Sequence, residues 1–105
     1  MFIIKEEDSR YPGQVKYRGN DPTGKKYYGE LEHNINAVSP YGHTNKSLND
    51  IKHLIRVMRK TGESGIHESN KYKIFTLLVV NGKNQIQKEY PIDDIMDIYD
   101  AESLR

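Results

Sequence analysis

The sequence predicts an α+β fold: a mainly antiparallel sheet of four to six strands, one long amphipathic helix at about 46–61 packed on one face, and a short C-terminal helix. Three observations carry that prediction. Leu48, Ile51, Leu54, Ile55 and Met58 recur at three- and four-residue steps, which at roughly 100° per residue places them on one side of a helix. Tyr72 to Val80 is the strongest strand signal in the chain, rich in aromatic and β-branched residues. Two turn signals, Asn20-Asp21-Pro22-Thr23-Gly24 and Asn81-Gly82, each separate a pair of extended candidates, as antiparallel hairpins require.

In chain order, Phe2 to Lys5 reads as a short first strand, and the charged run from Glu6 to Arg10 ends at the turn Tyr11-Pro12-Gly13. Gln14 to Arg18 alternates, with Val15 and Tyr17 on one face, and Lys25 to Glu32 carries Tyr27, Tyr28 and Leu31 as the second arm of a hairpin. Both arms are polar, so at least one face of that hairpin should meet water. Ile35, Ala37 and Val38 predict a third strand followed by a loop from Ser39, with an irregular path throughout as the alternative.

The loop delivers the chain to the helix. Ser47 with Asp50 forms a capping-box-like pair at its start, and Gly62 is the expected left-handed stop. Thr61 to Asn70 is rich in Gly, Ser, Glu and His and reads as an exposed connection. In the strand that follows, Ile74, Leu78 and Val80 take one face and Phe75, Leu77 and Val79 the other, so it should be covered on both sides. A two-residue Asn81-Gly82 turn would set Val80 opposite Lys83 and Leu77 opposite Ile86, with the return strand running to about Tyr90. Pro91 then opens the C-terminal helix, in which Ile92, Ile95, Met96 and Tyr99 share a face. A single turn at Asp93-Asp94 followed by a brief last strand is the rival reading.

A chain of 105 residues fits one domain, 1–105, and can bury roughly two-thirds of its unfolded surface. With 35% hydrophobic and 30% charged residues, the apolar side chains must be concentrated on a few elements, as those at 48–58 and 74–80 are. The absence of cysteine excludes disulfides, thiolate metal sites and a Cys nucleophile. No run is long enough for a signal peptide or a membrane span, so a cytoplasmic location is expected. The richness in Lys, Ile, Asn and Tyr suits an AT-rich genome, including those of many phages and mobile elements.

A net charge of +1 hides a segregated distribution. Lys52, His53, Arg56, Arg59 and Lys60 form one arc of the helix opposite its apolar side, with no acidic residue among them, and so form a candidate surface for phosphates or an acidic partner. From Asp93 to Glu102 every charged residue is acidic, and Asp93, Asp94, Asp97 and Asp100 form a candidate partner surface of opposite sign. Both also read as solvated helix faces. Tyr41, His43, Thr44 and Lys46 precede or open the helix, where free N–H groups favour an anion, and would suit a nucleotide or other phosphorylated ligand. Lys46-Ser47 lacks the glycines of a P-loop, and ordinary capping explains the same residues.

The histidines His33, His43, His53 and His67 show no metal-ligand spacing, and no serine sits in a Gly-x-Ser-x-Gly elbow. No cofactor, metal or catalytic residue is therefore expected. The expectation is a small non-enzymatic interaction or inhibitor protein of a kind phages encode, with a protein partner. Direct nucleic-acid binding through the basic arc, a nucleotide at the 39–47 loop and, last, a small hydrolase using His and Glu are the alternatives; two copies could also pair along the Lys83–Tyr90 edge, against which Lys83 and Lys88 act.

Overall fold

A strand whose successive residues are all apolar must be covered on both faces, and Phe2-Ile3-Ile4 and Leu77-Leu78 are runs of this kind. The computed structural model, which describes residues 1–26, 29–42 and 45–92, puts these two runs side by side at the centre of a five-stranded antiparallel sheet. Its strands are β1 (Phe2–Asp8), β2 (Val15–Gly19), β3 (Glu30–Glu32), β4 (Lys73–Val80) and β5 (Ile86–Ile92), in the spatial order β3-β2-β1-β4-β5. One helix, α1 (Asn45–Ser64), packs against the sheet, so the α+β class read from the sequence holds. The C-terminal helix expected after Pro91, with Asp93, Asp94, Asp97 and Asp100, falls outside the described residues, as do Tyr27, Tyr28, His43 and Thr44.

The larger core lies between the helix and the sheet. Leu48, Ile51, Leu54 and Ile55 meet Phe2, Ile4, Phe75, Leu77 and Ile92, all buried, with Met58 and Tyr90 closing the margin. The opposite face carries a smaller cluster of Ile3, Val38, Leu78 and Val80, flanked by Tyr17 and Ile35. Val38 and Ile35 reach it because residues Ile35–Ala37 form a 3-10 turn rather than the expected strand. The turn sets the two side chains three residues apart on one side and leaves Ala37 exposed, a spacing that suits a three-residue period and not an alternating one. Asn34 caps it by accepting from Asn36 N at 2.9 Å, and the chain continues through bridges that pair Ser39 with Asn20 and Tyr41 with Phe2.

β1 runs three residues past its expected end at Lys5. The added residues are charged, but the neighbouring strands hold their counter-charges. Glu6 sits opposite Lys16 and Phe75, and Asp8 opposite Lys73. The Glu6 carboxylate accepts from Arg18 Nε at 2.7 Å, and Asp8 is held by the Arg10 guanidinium at 2.8 Å.

Four further expectations are corrected. The helix begins at Asn45, so Ser47 and Asp50 lie inside its first turns instead of capping it. It also runs through Gly62 to Ser64, and the left-handed stop is Gly65, with φ of 81°. The Asn81-Gly82 turn is wider than two residues: Val80 pairs with Ile86 and Leu77 with Tyr90 across a bulge. Asn81 Oδ1 accepts from the backbone N–H groups of both Lys83 and Gln85, at 2.9 and 3.0 Å, and so captures the chain in an Asx-type turn before a type I′ turn can close. The residue with positive φ is then Asn84, at 57°. Its side-chain amide donates to the carbonyls of Ile35 and Val38, both at 2.9 Å, and ties the hairpin to the segment covering the second face. Finally, Pro91 and Ile92 extend β5 instead of opening a helix. β5 is an edge strand, the position where a residue without an N–H is tolerated in a sheet.

Candidate interaction surface

The cations of α1 divide according to their angle from the apolar side. At roughly 100° per residue, Lys52 and Arg59 fall beside Leu48 and Ile55, whereas His53, Arg56 and Lys60 fall toward the far side of the helix. Burial follows that order. Lys52 and Arg59 are half-buried, and His53, Arg56 and Lys60 are exposed. Arg59 turns inward: its guanidinium donates to the carbonyl of Ile92 at 2.5 Å and lies 5.8 Å from the centre of the Phe75 ring. It fastens the end of β5 to the helix, and the five-residue arc reduces on its outermost part to His53, Arg56 and Lys60.

Those three residues project from successive turns. Among the described residues no carboxylate lies in ion-pair range of any of them. Val57 borders them and is 36% exposed, so the outer face of α1 combines cations with an apolar side chain.

The ligand-loop residues do not assemble into a described site. Tyr41 is a core residue: it is 5% exposed, its ring stacks on Phe2 at 5.2 Å, and its backbone pairs with Phe2 in both directions. Burial pushes its phenol above the ordinary range. Lys46 lies in the first turn of α1. Among the histidines, His33, His53 and His67 are exposed, and among the described residues no three His, Cys, Asp or Glu side chains form a group that could hold a metal ion.

A second grouping gave no local sequence signal. On the helix-bearing face, Glu6 and Asp8 of β1, Lys16 of β2 and Lys73 of β4 come together by register, and with Glu7, Tyr11 and Gln14 they line a cleft of about 200 Å3. Arg10 stacks its guanidinium 4.3 Å from the Tyr72 ring and 5.3 Å from that of Tyr11, while its hydrogen bonds hold the Asp8 carboxyl down at about 2. These residues come from four separate stretches of chain, and only strand pairing unites them. Polar residues in a strand next to an apolar triplet are the one trace they leave in the sequence.

No protein-family model, curated protein or solved structure matches the chain.

Proposed function

We propose that the protein acts by binding, presenting the outer face of α1 to an acidic surface of a protein partner. The observation that carries this reading is the trio His53, Arg56 and Lys60, without an ion-pair partner among the described residues and bordered by the exposed Val57. Cations without internal partners contribute little to stability where they stand, whereas across an interface they set approach rate and partner choice. The apolar Val57 at the margin of the arc favours a protein over a nucleic acid, because a phosphate backbone offers it nothing to bury against. The net charge of +1 points the same way, since it provides no broad positive field to gather a polyanion. Absence of cysteine and the AT-rich residue bias support an inhibitor working in the cytoplasm and encoded by a phage or mobile element.

The test is capture from cells of the native host by the wild-type protein and by a double variant, Arg56→Glu with Lys60→Glu. Specific capture should disappear with the charge reversal while the circular dichroism spectrum is kept. Equal capture by both proteins refutes the reading. Retardation of oligonucleotides at low salt that the double variant abolishes would replace it with nucleic-acid binding.

A further inference from the structure

The cleft at the end of the helix-bearing face holds, among the described residues, one carboxylate oxygen without a hydrogen bond and one ammonium without a carboxylate in ion-pair range. Glu6 is 4% exposed, and its Oε1 accepts from Arg18 at 2.7 Å. Its Oε2 is buried and has no hydrogen-bond donor among the described residues. The Lys73 ammonium stands 3.5 Å from that oxygen, longer than the roughly 2.7–2.9 Å of a charge-assisted hydrogen bond. A buried carboxylate oxygen left in this condition raises the free energy of the site until a donor arrives. Asp8, two residues along the same face, is already satisfied by the Arg10 side chain and backbone. Lys16 lies directly across from Glu6 on β2, is exposed, and has no carboxylate in ion-pair range among the described residues.

A carboxylate oxygen without a hydrogen bond and a cation without a carboxylate in ion-pair range therefore sit, among the described residues, on adjacent strands whose backbones are about 4.8 Å apart. A simple anion would meet the carboxylates of Glu6 and Asp8, and a simple cation would meet Lys16 and Lys73. A molecule carrying both charges a few ångströms apart avoids either conflict. The cleft, at about 200 Å3, is smaller than the roughly 300 Å3 at which sites for larger ligands begin. We propose that it binds a small zwitterion of the free amino-acid class, the ammonium taking the place of the Lys73 ammonium beside the buried Glu6 Oε2 and the carboxylate meeting Lys16 and the displaced Lys73, with Glu7, Gln14 and Tyr11 at the rim. This site is separate from the outer face of α1, and neither reading depends on the other.

The experiment is an amide-resolved NMR titration of the labelled protein with each free amino acid at about 10 mM, enough to occupy most of a site with a Kd of about 1 mM. At least one should shift the amides of Glu6, Tyr11, Gln14 and Lys16 in a saturable way. Its N-acetyl derivative, which lacks the ammonium, should shift none of them. Lys16→Ala changes an exposed side chain with no ion pair among the described residues and should weaken the titration about tenfold with the spectrum otherwise preserved. Glu6→Gln should abolish it; if that variant unfolds, the derivatives and Lys16→Ala decide alone. No saturable response at these amides, equal binding of the N-acetyl form, or an unchanged titration in Lys16→Ala each overturns the proposal.

Discussion

Replacing Gly62 by alanine sets two effects of known size against each other. Gly62 lies inside α1 and is buried, and an alanine in a helix interior is favoured over glycine by about 1 kcal/mol. A Cβ added there would stand 2.6 Å from the backbone nitrogen of Lys71 and 3.1 Å from the Asn70 carbonyl carbon. The obstruction is main chain, in the 3-10 turn Glu68–Tyr72, and no side chain can rotate to relieve it. Overpacking of this kind costs about 1–3 kcal/mol, and with backbone on the receiving side we take the upper end. The net expectation is a loss of about 2 kcal/mol, which for a domain of this size lowers Tm by roughly 10 °C. Urea denaturation followed by circular dichroism measures it directly. An alanine variant as stable as the wild type, or more so, would mean that intrinsic propensity dominates and that the helix and the 3-10 turn are not in close contact.

Other outcomes follow from single contacts. Asn84→Ala should lose about 2 kcal/mol, from two hydrogen bonds to the Ile35 and Val38 carbonyls and from the positive φ; Asn84→Gly, which tolerates that φ, should lose about half as much in the same denaturation assay. Arg59→Met should free the Ile92 carbonyl and speed amide exchange at the end of β5, with a loss of about 1–2 kcal/mol. The Asp8 carboxyl, held at about 2 by Arg10, should titrate well below its usual 3.8 in an NMR pH series. Because its folded value is the lower one, its stabilising effect is complete above about pH 4 and fades as the pH falls toward 2, and Asp8→Asn should flatten that part of the stability curve.

What the sequence disclosed depended on how local the determinant was. The period of Leu48, Ile51, Leu54 and Ile55 survives any tertiary context, and so did the helix. The two-faced run from Phe75 to Val80 required cover on both sides, and it lies next to the central strand with a cluster on each. The misreadings involve residues whose role is set by something distant. Glu6 and Asp8 looked too charged for a strand until β2 and β4 supplied Arg18, Lys16 and Lys73. Gly62 resembled a stop because its actual reason, the backbone of Lys71, arrives from another segment. Asn81-Gly82 failed as a tight turn because the Asn81 side chain competes for the same backbone donors.

The candidate surfaces divide in the same way. The outward cations were legible because helical geometry alone places them, but Arg59, at the boundary, needed the position of Ile92 to reveal that it faces inward. Tyr41 had the composition of a ligand-loop residue and the surroundings of a core one. The cleft around Glu6 left only the charged run after the apolar triplet as a trace, since its lining assembles when the strands pair.

The central position of β1 has a consequence for biogenesis. Phe2, Ile3 and Ile4 are synthesised some seventy residues before β4, the strand that covers their far flank. Until it emerges, that greasy triplet has no permanent cover, and the nascent chain must keep it from neighbouring polypeptides or hand it to a chaperone. Closure across so long a separation is also the slow kind, so synthesis speed and folding yield should be coupled.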